Sequence, residues 1–181
     1  MIFIDIPDTN FKDQISSFDR NRDGRISVSE AARIEKIELW NITTGDIKVA
    51  SLEGIEYCTA LTYLYCCCSQ LPTLDVSRNT QLEKLCCFGN QLTALDVSRN
   101  TVLEILNCSQ NQLTTLNVRQ NTALKTLLCF ENQLMTLDVS NCKNLQSLSL
   151  SPMPSLKTLY MATGQEIPTM DIPNTTQIIH K

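Results

Sequence analysis

Leucine returns to the same place in this chain every 21 residues, and that beat leaves few folds open. Leu82, Leu103, Leu124 and Leu145 fall on it, as do Leu85, Leu106, Leu127 and Leu148, and Leu92, Leu113 and Leu134. Another column reads Cys87, Cys108, Cys129 and Leu150. A fixed period of this length marks one supersecondary unit stacked on copies of itself. The unit is L-x-x-L-x-C-x-x-N-x-L, as in Leu82, Leu85, Cys87, Asn90 and Leu92, followed by T-x-L-D-V-S-x-N-T-x over residues 93–102. Leu85 and Cys87 alternate as one strand face and Leu95 and Val97 as another, which predicts two strands in each coil. Inward residues then stack copy on copy, each coil shielding only its neighbours. At about 4.8 Å per strand, five to six coils span roughly 25 Å.

The period also explains most of the nine cysteines. Cys66, Cys87, Cys108 and Cys129 share a slot that Leu150 takes next, so the slot is apolar and buried, where a free thiol behaves as a small hydrophobe. Cys58 and Cys142 share a slot with Asn79, Asn100 and Asn121, where a small donor is wanted. Cys67, Cys68 and Cys86 remain as surface thiols. Paired C-x-x-C knuckles are absent and the one histidine, His180, is near the end, so packing rather than metal accounts for these cysteines. Asn90, Asn111 and Asn132 fall at the bend after the first strand, where a side-chain amide can satisfy backbone groups of adjacent coils; Asn79, Asn100 and Asn121 do the same at the second bend.

Around this block the chain divides into an N-terminal cap (1–33), repeats opening on Ile34, Ile37 and Leu39 (34–161), and a C-terminal cap or tail (162–181). Ile2, Ile4 and Ile6 read as an edge strand, and Asn10 as the cap of a short helix carrying Phe11, Ile15 and Phe18. An irregular connection runs through Gly45 and Asp46. One extra residue enters near Pro152 and Pro154, where the prolines are expected to break the strand ladder. A net charge of -4 gives no basic footprint for nucleic acid. No apolar run reaches the roughly 18 residues of a transmembrane helix, and the first residues lack the basic start of a secretion signal.

Residues 19–30 match D-x-[DN]-x-[DN]-G-x5-E at every specified position. Asp19, Asn21 and Asp23 offer oxygens at alternate positions, Gly24 permits the sharp turn, Arg25 offers its carbonyl, Ser27 an oxygen directly or through water, and Glu30 a bidentate carboxylate. The loop resembles EF-hand and dockerin calcium loops, which implies a structural calcium of moderate affinity. The same residues also read as a polar turn before a helix capped by Ser27, with Glu30 as its capping-box partner.

The repeats resemble the leucine-rich repeats, in their bacterial variant with a 21-residue unit of nested 10- and 11-residue halves. That implies a right-handed solenoid or arc with parallel β-sheets and a short helical N-terminal cap. The N-terminal run followed by the calcium-like loop and these repeats resembles exported bacterial leucine-rich-repeat proteins, and is loosely similar to internalin-type adhesins, although the repeat here is of a different subclass. The resemblance implies an exported, cell-surface or periplasmic protein, with lipid anchoring in a precursor.

Function is expected from outward side chains. Tyr63, Tyr65, Phe88, Ile105, Leu128 and Phe130 place an aromatic and apolar face with few charges on the first sheet. A contiguous patch of this kind marks a binding surface for a protein or glycan, unless capping segments or a second copy cover it. A second column, Asp75, Asp96, Asn117 and Asp138, reads as a cation site or as a solvated surface with Arg78, Arg99 and nearby serines. A structural spacer in a larger surface protein is the alternative function. A Cys-dependent enzyme using Cys68 or Cys86 would need a base, and only His180 offers an imidazole.

Overall fold

The computed structural model describes residues 2–39 and 48–181; the connection through Gly45 and Asp46 lies outside the described residues. Ten short strands follow in order among the described residues: β1 (Lys36–Glu38), β2 (Tyr63–Tyr65), β3 (Lys84–Cys86), β4 (Ile105–Asn107), β5 (Thr126–Leu128), β6 (Thr136–Asp138), β7 (Ser147–Ser149), β8 (Thr158–Met161), β9 (Thr169–Asp171) and β10 (Gln177–His180). They build a parallel sheet ordered β1-β2-β3-β4-β5-β7-β9 and a second parallel sheet ordered β10-β8-β6. Parallel neighbours joined by crossings through the other half-coil make a leucine-rich-repeat β-solenoid, as the period requires.

The register follows the sequence beat. Leu64, Leu85, Leu106, Leu127 and Leu148 lie side by side across β2, β3, β4, β5 and β7. Cys66, Cys87, Cys108 and Cys129 are fully buried and reduced. Leucines and thiols therefore fill one continuous core that runs from Ile6 to Met161.

Two asparagine ladders close the bends differently. In the first, Asn111 Nδ2 donates to the carbonyls of Cys87, Cys108 and Ser109 while its Oδ1 accepts from Leu92 N. Asn90 and Asn132 repeat that pattern one coil away on either side. In the second, Asn79, Asn100 and Asn121 donate to two carbonyls each, but their Oδ1 atoms meet no donor. A donor-only slot explains why cysteine substitutes there: Cys142 Sγ donates to Val118 O at 3.6 Å.

The second sheet is shorter than the alternation of Leu95 and Val97 predicts. Both side chains are buried, yet their segment is not a strand. In these coils the Asp-x-Ser step folds on itself, Asp75 Oδ1 accepting from Ser77 N and Asp96 Oδ1 from Ser98 N. Among the described residues a ladder forms only beside β8, which carries Tyr160 and Met161 where the earlier coils carry that turn. Pro152 does not break the first sheet's bonding. A proline lacks a donor but keeps its carbonyl, and Glu131 N donates to Pro152 O at 2.7 Å. The extra residue is absorbed before β9, whose Thr169 pairs with Ser147.

At the N-terminus, α1 (Thr9–Ile15) buries Phe11 and Ile15 and is capped by Asp8, not Asn10. The Asp8 carboxylate accepts from Phe11 N and also from Ala50 N and Ser51 N, which ties the cap to the first coil. Ile4 N and Val28 N bond the first residues to the strand-like exit of the 19–30 loop. Gly54, at φ +102°, lets Asp5 O and Ile6 approach to where a Cβ would stand 3.1 Å away. Residues 162–181 add the last strands to both sheets and cover the open end of the core.

Candidate binding face and cation loop

Strand alternation turns Leu64, Leu85, Leu106 and Leu127 into the core and their neighbours outward. Tyr63, Tyr65, Phe88, Ile105, Leu128 and Phe130 are all half-buried on that outer face. The register divides them. One row across the sheet reads Tyr63, Lys84, Ile105, Thr126, and the next reads Tyr65, Cys86, Asn107, Leu128. Tyr65 and Phe88 meet edge to face with ring centroids 6.5 Å apart. Lys36 Nζ lies 4.9 Å from the Tyr63 ring and 3.0 Å from Glu38. Tyr63, Tyr65 and Phe88 thus form one aromatic cluster at the first coils, while Leu128 and Phe130 form a second group two coils on. Ile105 stands between, separated by Lys84 and Asn107. Ser109 is 1% exposed, so it is not part of the outer surface.

Cys67 also departs from expectation: it is 3% exposed, whereas Cys68 is exposed and Cys86 half-buried. Cys67 Sγ approaches Cys86 Sγ to 3.1 Å. Parity held the signal for this contact, since Cys67 shares the outward face of Tyr65, and Cys86 pairs with Tyr65.

The 19–30 loop is wound on its own carboxylates. Asp19 accepts from Arg22 N and Gly24 N, Asn21 Oδ1 from Asp23 N, and Asp23 Oδ1 from Arg25 N. Glu30 accepts from Arg20 N through Oε1 and from Ser27 N and Ser27 Oγ through Oε2. Ser27 caps α2 (Val28–Ala31) in a complete capping box, and Ile26 anchors the loop in the core. The Ser27 hydroxyl and amide hold the Glu30 carboxyl down at about 2 from 4.5. A carboxyl depressed by folding lends its stability above pH 4.5 and loses it as pH falls toward 2. Among the described residues no three His, Cys, Asp or Glu side chains converge on one point.

The acidic column on the other side is a solvated surface. The Ser77 and Ser98 amides lower Asp75 and Asp96, and Arg78 and Arg99 lower them further. Asp138 Oδ2 takes Arg119 at 3.0 Å and Lys181 at 2.7 Å. The His180 imidazole lies in β10, its Nδ1 3.3 Å from Ala162 O, coils away from Cys68 and Cys86. No helix among the described residues is long and apolar enough to cross a membrane.

No protein-family model matches the chain, and no curated protein matches its sequence. Among solved structures, the functional domain of InlJ from Listeria monocytogenes, which includes a cysteine ladder, is 34% identical with a TM-score of 0.73 over 86% of this chain. An internalin, InlF, from the same organism is 22% identical with a TM-score of 0.56 over 86% of the chain. A leucine-rich-repeat protein of Leptospira interrogans is 23% identical with a TM-score of 0.52 over 73%. The latter two show the fold alone. This chain spans 36%, 49% and 35% of the lengths of those three structures. With its 21-residue coils, buried thiol column and parallel sheets, this chain has the fold of a leucine-rich-repeat β-solenoid and is similar to the InlJ domain over most of its length.

Proposed function

We propose that this solenoid is a non-enzymatic recognition module of the bacterial cell surface that binds a protein or glycan through its first sheet. The observation that carries this is the half-buried Tyr63, Tyr65 and Phe88 group on the outer sheet face, in which Tyr65 and Phe88 pack edge to face. Aromatic side chains present large contact area at low entropic cost and dominate interface energetics. Likeness to the functional domain of InlJ supports the same reading. The double variant Tyr65→Ala/Phe88→Ala is expected to lower binding at least tenfold on arrays of surface ectodomains and glycans. Met135→Ala, an exposed methionine away from the first sheet, is the control and leaves binding unchanged. Equal binding by all three proteins would favour a spacer.

We further propose that the 19–30 loop takes one calcium ion that braces the N-terminal cap. The donor set is all oxygen: Asp19, Asn21, Asp23, the Arg25 carbonyl, Ser27 and Glu30. Asp19 Oδ1, Asp19 Oδ2 and Asp23 Oδ1 accept one amide each and keep a lone pair for a cation, whereas Glu30 Oε2 already accepts two Ser27 donors, so an ion would take the place of the Ser27 hydroxyl on Glu30. Arg20, Arg22 and Arg25 lower the local negative charge and point to an affinity near the extracellular range, about 10⁻⁴ M. At a hundredfold excess calcium would add about 2.7 kcal/mol, raising the melting temperature by roughly 5–10 °C. Glu30→Gln keeps an acceptor for the cap and should abolish that rise. A melting temperature indifferent to calcium or chelator in the unsubstituted protein would leave the helix cap alone.

A further inference from the structure

We infer that Cys67 and Cys86 form a thiol–disulfide exchange site on the first sheet, with Cys86 as the attacking sulfur, Cys67 as the resolving one, and a low-molecular-weight disulfide as the substrate class. Five cysteines crowd the second and third coils, and the fold sorts them. Cys66 and Cys87 belong to the sealed core column. Cys67, two residues past the end of β2, and Cys86, the last residue of β3, instead share the outer face with their sulfurs 3.1 Å apart. A disulfide bond is about 2.05 Å long, so about 1 Å of side-chain closure separates the dithiol from its oxidised form.

The two thiols are not equivalent. Cys67 donates its S–H to Cys86 Sγ, which lowers the Cys86 pKa and raises that of Cys67. Cys86 is half-buried and reachable from solvent, while Cys67 is 3% exposed and hydrogen-bonded to Tyr65. An accessible thiolate beside a sheltered thiol is what two-step exchange requires. In the first step the Cys86 thiolate attacks one sulfur of the external disulfide. A mixed disulfide forms and one external thiolate leaves. In the second, Cys67 gives up its proton and attacks Cys86 Sγ, expelling the second external thiol. The external disulfide is reduced to two thiols, and the protein dithiol is oxidised to one disulfide.

Closure would bolt the second coil to the third beside the Tyr65 and Phe88 rings. Cys68 is the competing exposed thiol. Its sulfur lies 2.9 Å from where a Gly89 Cβ would stand, so it too rests on the third coil.

The test treats the whole reduced chain with glutathione disulfide, quenches with acid, alkylates, and locates disulfides by tandem mass spectrometry. The unsubstituted protein and Cys68→Ser should lose two hydrogens and yield a Cys67–Cys86 cross-linked peptide. They should form it at least tenfold faster than Cys86→Ser forms any disulfide. Cys67→Ser should stop at one glutathione on Cys86. The core thiols should be alkylated only after unfolding. A bond involving Cys68, a covalent dimer, or an unsubstituted protein that halts at the mixed disulfide would each overturn the assignment, and these arms need no variant to fold.

Discussion

Asn111→Ala is expected to lower the unfolding free energy by about 4 kcal/mol. The substitution removes three donated bonds, to Cys87 O, Cys108 O and Ser109 O, and the acceptor for Leu92 N. Leu92 N is left without a partner, which costs about 1–3 kcal/mol, while each carbonyl loses one of two donors, a bond worth about 0.5–1.5 kcal/mol. Asn121→Ala should cost about half as much, because Asn121 donates to Val97 O and Asn100 O and its Oδ1 accepts nothing. The two slots should also differ in rescue. Asn121→Cys restores one donor in the manner of Cys142, whose thiol reaches Val118 O. Asn111→Cys cannot serve three carbonyls and an amide at once. Urea unfolding of the four variants checks this, and equal losses at both positions would remove the distinction between the ladders.

The interior was legible because a residue repeated in space is repeated in sequence. Cys87, Cys108 and Cys129 are recognisable as core residues by sharing a slot with Leu150, and all four are fully buried. Asn79 and Cys142 similarly declare a donor slot by sharing one position of the repeat. The outer surface has no such redundancy. Ser109 sits at an outward position by parity yet is buried, and Cys67 turns against Cys86 rather than solvent. Contacts between adjacent coils decide both, and the period says only which residues share a face. The second sheet was over-read for a related reason. Leu95 and Val97 alternate as strand residues do, but Asp96 takes the Ser98 amide two residues on, and Asp138, which makes the same bond to Ser140, is in a strand only because β8 beside it lacks that step. Capping at Asp8 depends on the distant amides of Ala50 and Ser51, which local spacing does not reveal.

Leu106→Ala tests the solenoid itself. Leu106 is fully buried at the middle of the stack, in register with Leu85 on one side and Leu127 on the other. Truncating a leucine in such a site costs about 3–4 kcal/mol, the lost transfer energy plus a cavity the neighbours cannot fill. For a chain of this length that corresponds to a fall in melting temperature of roughly 10 °C. Cys108→Ala, two residues along, deletes a single sulfur and should cost about 1–2 kcal/mol. The position matters as much as the size of the cavity. Each coil is held by its two neighbours alone, so a void at the centre weakens both interfaces on which cooperative unfolding depends. Denaturant curves for Leu106→Ala should therefore broaden, with a smaller slope than those for Cys108→Ala. A loss below about 1 kcal/mol with an unchanged slope would contradict a continuous leucine column, since no isolated coil has another source of burial to replace it.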